Sequence, residues 1–180
     1  MTVKNQKVKK GSNQIMSLQQ EVSDNNKKAG WWERKPELKS LEEEAVKVIF
    51  MHMILSEQLE KVRRGENVNF DKIITEISQL KDKPISKSID EETSFLLTKI
   101  SLMHSELSEA CEYIIKPEKD KHLIQQEGEA VELSDMFLRL LDYCGHRGFN
   151  VESISREKLE YNKTRSDHKK ENRKVGGKLF

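Results

Sequence analysis

ELSEACEYIIKPEKDKHLIQQEGEAVELSD, residues 106–135, carries two acidic pairs, Glu106/Glu109 and Glu132/Asp135, each spaced i, i+3. Apolar residues recur around both pairs at helical spacing, so each pair falls on one face of a helix. Pro117 ends the first of these helices, and the charged connection 118–128 is short enough to return the chain antiparallel to itself. In that packing the four carboxylates converge. Like charges one turn apart repel by about 0.2–0.5 kcal/mol per pair, so a cluster of four calls for a cation, and a divalent metal is the usual one.

Outward from this stretch the chain reads as helix after helix. Leu97, Ile100, Met103, Leu107, Cys111 and Ile114 form one stripe of a helix over 91–115. Leu133, Met136, Phe137, Leu140, Leu141 and Cys144 form the broad apolar face of a helix over 129–144, opposite a narrow polar face of Glu132, Asp135, Arg139 and Asp142. Gly145 and Gly148 are expected to stop it, and Asn150 to cap a last helix over 151–165. On the N-terminal side, Ile15, Leu18 and Val22 recur at helical spacing up to Gly30, after which Trp31 and Trp32 stand in tandem. Tandem Trp at a helix end suits a packing anchor, with base stacking as the alternative. Leu41, Ala45, Val48, Ile49, His52, Leu55 and Leu59 mark a long helix over 37–64, and Phe70 to Leu80 a shorter one. Residues 81–90 form a loop, with Asp90 as a start signal for the helix after it. No segment alternates like a strand, and the fold is expected to be all-α, an antiparallel helical bundle.

Composition agrees with helices that have solvated faces. Of 180 residues 35% are charged and 6% aromatic, with eight glycines and three prolines, and the mean hydropathy is −0.77. Lysine and arginine total 32 against 31 acidic residues, so no global field favours nucleic acid or an anionic membrane. No apolar run approaches the ~20 residues of a membrane span, and the basic start lacks an apolar signal core. A cytoplasmic protein without a membrane partner is expected. Cys111 and Cys144 both fall at apolar helical positions, as buried reduced thiols rather than a disulfide.

The chain also repeats itself. FMHMILSEQLE (50–60) aligns without gaps with LMHSELSEACE (102–112), matching His52 to His104, Leu55 to Leu107 and Glu57 to Glu109. A duplicated helical unit is the economical explanation. The counterpart of Glu106 is Ile54, so the first copy is degenerate as a site. The organisation expected is a basic tail without regular structure at 1–14, an N-terminal helical half with the degenerate repeat at 15–95, the helices that carry the motifs at 96–165, and a basic tail at 166–180.

Carboxylate oxygens are hard ligands suited to Mg²⁺ or Mn²⁺, and Mg²⁺ commonly bridges to substrate phosphates. Lys158, Asn162 and Arg165 fall at i, i+4, i+7 on the last helix, a stripe able to grip phosphate oxygens. The bland alternatives are a solvated acidic face and a solvated basic one. Arg139, four residues after Asp135, is accounted for by an ion pair within its own helix.

ELSEACE (106–112), ELSDMFLRLLDYCGHRGFN (132–150) and EKLEYNKTR (157–165), in that order and spacing, resemble the MazG-like nucleotide pyrophosphohydrolases of the all-α NTP pyrophosphatase superfamily. The resemblance covers about residues 96–165, and KKAGWWE (27–33) is similar to the ending of that family's first helix. It implies Mg²⁺ on Glu106, Glu109, Glu132 and Asp135, with Mn²⁺ as a substitute, and phosphate contacts from Lys158, Asn162 and Arg165. It further implies hydrolysis of an NTP or dNTP to the monophosphate and pyrophosphate, and a homo-oligomer, a dimer first. Many relatives have a glutamate directly before the first pair, used in some as the base; here Ser105 stands there, and the role passes to Glu106 or to hydroxide on the metal. The alternative is a catalytically degenerate helical module that binds nucleotide or a partner protein. A third possibility, nucleic-acid association through the basic tails, is the weakest.

Overall fold

A computed structural model describes the backbone of residues 3–81 and 89–166, and side chains from Gln14 onward within those ranges. The regular structure described is helical: α1 (Val3–Lys28), a 3-10 turn (Pro36–Leu38), α2 (Lys39–Arg63), α3 (Phe70–Leu80), α4 (Glu91–Ile115), α5 (Gly128–His146) and α6 (Val151–Thr164). An isolated bridge between Lys119 and Glu127 is the one extended pairing found among the described residues. The all-α expectation holds, and no described helix is long and apolar enough to cross a membrane.

Local chemistry accounts for the helix ends. The Asn69, Asp90 and Asn150 side chains each accept a backbone N–H three residues on, at 2.9, 2.7 and 3.0 Å, as N-caps do. Gly30, Gly65 and Gly148 have φ of 75°, 76° and 69°, the left-handed conformation that lets a chain leave a helix without steric cost. α1 starts at Val3 rather than near Ile15, so the segment expected as an N-terminal tail is helical in its backbone. It has no proline, and lysine and glutamine favour helix, so a helix nucleated further on extends through it. Most of the loop expected at 81–90, residues 82–88, and the C-terminal tail from 167 on lie outside the described residues.

The chain forms two compact units, residues 1–35 with 99–155 and residues 36–98 with 156–180. In the second, Val46 and Ile49 of α2 are buried together with Ile73 and Leu80 of α3 and Phe95 of α4. The stripe expected on α2 is therefore split, for Leu41, Val48, Leu55 and Leu59 are exposed. α3 has 11 residues against the 25 of α2; at about 1.5 Å per residue it covers one side of less than half of its partner.

In the first unit, Met103 and Ala110 of α4 and Leu141 and Cys144 of α5 are buried. Cys111 is exposed, which corrects the expectation of two buried thiols; both cysteines are free. Burial raises the Cys144 thiol above its ordinary pKa. α1 meets α5 through small and polar groups: Ser23 and Gln19 are buried, whereas Ile15 and Leu18, which recur at helical spacing, are exposed. Gly145 makes this approach possible. It lies in the last turn of α5, and a Cβ there would sit 2.8 Å from Ser23 Cβ. Between α4 and α5 the connection is ordered: Asp120 is buried and accepts the backbone N–H groups of His122 and Leu123, and Gly128 N–H donates to the Glu118 carbonyl at 3.0 Å. These bonds hold the Asp120 carboxyl below its ordinary pKa, the one from Leu123 first.

Candidate acidic site and its cleft

The first unit brings together three of the four carboxylates. Glu106 and Glu109 on α4 and Glu132 on α5 each offer an oxygen within 4.8 Å of the others. Glu106 and Glu132 are buried, Glu109 is exposed. Asp135, also exposed, stands outside this trio and lines a neighbouring cleft. The helical spacing behind the expectation is intact, but the Asp135 carboxylate is not among the oxygens that come together.

Burying carboxylates side by side has an electrostatic cost, and two features offset it. One is a proton. The Glu132 carboxyl is pushed up to about 7, first by burial, then by the Glu109 charge, a hydrogen bond with Glu106, the Glu106 charge and Asp135. The other is Arg139. Its Nε and Nη2 both reach Oε1 of Glu106 at 2.6 Å, so the pair with Asp135 expected within α5 gives way to one between helices. An i, i+4 pair on a solvated surface contributes a few tenths of a kcal/mol, whereas a buried carboxylate left without a partner costs far more. Ser105 Oγ donates to Glu109 Oε1 at 3.1 Å, so the residue that replaces the resembled family's base position orients one of the acids.

Beside the trio lies a cleft of about 370 Å³. Its walls include Asn25 and Asn26 of α1, Trp31 and Trp32 after it, Lys99 on α4, and Asp135, Arg139, Asp142 and Tyr143 on α5. Trp32 is fixed: its Nε1 donates to both oxygens of buried Asp142 at 3.0 and 3.1 Å, and its ring stacks on His146 with centroids 3.6 Å apart. Lys99 Nζ donates to the Trp31 carbonyl and lies 5.2 Å from the Trp32 ring centroid. Trp31 is 54% exposed and leaves ring surface toward solvent. Trp32 thus takes the anchoring role considered for the tandem.

Lys99, Asp142 and Tyr143 were not legible as cleft residues. Asp142 did carry a signal: it lies seven residues from Asp135 on the narrow polar face of α5, and its partner Trp32 is 110 residues away. Lys158, Asn162 and Arg165 belong to the second unit. Lys158 Nζ lies 4.7 Å from the Tyr161 ring centroid, and Asn162 Oδ1 is a buried acceptor without a hydrogen-bond partner.

The donor set fits a small hard dication. Octahedral Mg²⁺ with bonds of about 2.1 Å keeps its ligands within about 4.2 Å of each other, so the trio, at 4.8 Å or less, is close to the span required. Comparison with family models, with curated proteins and with solved structures finds no match to this chain.

Proposed function

We propose that the chain is a Mg²⁺-dependent nucleotide pyrophosphohydrolase of the MazG-like kind, which converts an NTP or dNTP to the monophosphate and pyrophosphate in the cytoplasm. The observation that carries this is the placement of three convergent carboxylates beside a cleft walled by tryptophans, asparagines and two cations. Its volume falls in the range of small-molecule sites. Glu106, Glu109 and Glu132 would hold the metal, with Asp135 at the rim toward the ligand. When bound, the metal would screen phosphate charge and acidify a water for in-line attack on the α–β anhydride.

The residues supply the rest. Trp31 offers a ring to the base, Asn25 and Asn26 offer amide donors and acceptors, and Lys99 and Arg139 bring positive charge to the phosphate end. Glu106 is the group assigned to accept the proton of the attacking water.

The test is pyrophosphate release from a panel of NTPs and dNTPs with Mg²⁺ or Mn²⁺. Release from at least one nucleotide, abolished by chelator and lowered about 100-fold in Glu109→Gln, is expected. No release from any of them overturns the activity. One observation favours a second possibility, a degenerate module that binds nucleotide without hydrolysing it: Arg139 already neutralises Glu106. Nucleotide binding indifferent to both Mg²⁺ and Glu109→Gln would establish that instead.

The homodimer that goes with this function would use the exposed stripe on α2. Leu41, Val48, Leu55, Leu59 and Val62 recur at seven- and four-residue spacing and are 64%, 45%, 46%, 55% and 39% exposed, a seam of the kind that pairs helices. Sedimentation of Leu55→Glu/Leu59→Glu is expected to show a monomer where the wild type is a dimer; an unchanged dimer places the contact elsewhere.

A further inference from the structure

Arg139 is placed between two environments. Its guanidinium is on Glu106, whose side chain is 8% exposed, while its own side chain is 36% exposed and forms part of the cleft wall. The hold on Glu106 is one-sided. Nε and Nη2 both address Oε1, which lacks the two-oxygen fork of the strongest Arg–carboxylate pairs. Five acidic side chains gather here, Glu106, Glu109 and Glu132 in the trio and Asp135 and Asp142 in the cleft. Of these, Asp142 is engaged by Trp32 Nε1. The other cation of the cleft wall, Lys99, donates to the Trp31 carbonyl.

We propose that Arg139 is an exchangeable counter-ion: without a divalent cation it neutralises Glu106, and when the cation takes the trio it turns into the cleft and binds the phosphate end of the ligand. This rests on the metal-dependent function above and adds a positioning residue to it. The physical basis is competition for one carboxylate. Glu106 cannot stay buried and charged without a cation, and two cations on the same oxygen repel each other. A divalent ion shared by three carboxylates outcompetes a monovalent group held by one. The displaced guanidinium already lines the cleft, and its planar donors match phosphate oxygens. The exchange therefore couples the two ligands: the metal both loads the site and releases the phosphate clamp.

Mn²⁺ binding followed by electron paramagnetic resonance, and tripolyphosphate binding to the Mn²⁺-loaded protein followed by calorimetry, test this in full-length wild type, Arg139→Gln and Arg139→Lys. Arg139→Gln is expected to bind Mn²⁺ about tenfold more tightly, because the competitor is gone, and tripolyphosphate about tenfold more weakly, because the clamp is gone. In chelator it melts below wild type, and saturating Mn²⁺ closes that gap. Arg139→Lys, which keeps the charge and guards against a folding defect, falls between on both affinities. Mn²⁺ bound equally or less tightly by Arg139→Gln, or tripolyphosphate bound equally well, overturns the exchange while leaving the metal site standing. No Mn²⁺ binding by any of the three overturns both.

Discussion

Glu132→Gln is expected to abolish activity and to stabilise the protein above neutral pH, two effects of opposite sign from one atom replacement. The activity part follows from removing a buried carboxyl that would ligate the proposed metal, with a loss of about 100-fold or more in pyrophosphate release. The stability part follows from the carboxyl being pushed up to about 7 in the folded chain, chiefly by burial and by Glu109. Unfolded, it titrates near the ordinary 4.5. Between those values the folded state holds a proton that the unfolded state has released. The stabilisation is complete below pH 4.5 or so, declines as pH rises through about 7, and is absent above it. The decline amounts to up to about 3 kcal/mol. Glutamine keeps a donor for Glu106 and carries no charge, so the variant does not suffer it. In chelator, the melting temperature of wild type should fall from pH 5 to pH 8 relative to that of Glu132→Gln, by several degrees for a chain of this size. Parallel profiles for the two proteins would show that Glu132 is not held protonated by its surroundings.

Gly145→Val is expected to be the most damaging change away from the carboxylates. The new Cβ would meet Ser23 Cβ at 2.8 Å and Ser23 Oγ at 2.9 Å. Ser23 Cβ is bonded to the α1 backbone and cannot swing aside, so the helix itself must move. That separation costs about 1–3 kcal/mol as overpacking, and it also strains the bond from Gln19 Nε2 to the Phe149 carbonyl, now 2.9 Å. Because α1 leads directly into Trp31 and Trp32, the cleft should lose shape as the stability drops. Calorimetry should record a melting temperature lower by several degrees, with partial recovery in Gly145→Val/Ser23→Gly. An unaltered melting temperature would mean that α1 does not pack against Gly145. A residue without a Cβ at 145 is thus the condition for the close approach of α1 to α5.

How far the chain could be read without its structure differs from residue to residue for physical reasons. Helix ends depend on caps a few residues away, and Asp90, Asn150, Gly30 and Gly148 act where their positions in the sequence place them. Helix faces were harder. Ile15, Leu18, Leu55 and Cys111 have the right periodicity yet are exposed, while Gln19, Ser23 and Gln58 are buried. Periodicity reports which residues share a face, not which face finds a partner or how near that partner comes.

The acidic site divides along the same line. Two i, i+3 pairs on consecutive helices were enough to point to an acidic centre, because the helical repeat that puts each pair on one face is a local property. The omission of Asp135 from the trio, the transfer of Arg139 from its own helix to Glu106, and the anchoring of Trp32 on Asp142 are contacts between segments 33 to 110 residues apart. The sequence by itself determined an all-helical chain with a candidate acidic centre. Only the tertiary structure decided which carboxylates share it and which cation answers them, since those outcomes turn on distances of a few ångströms between helices that no local spacing encodes.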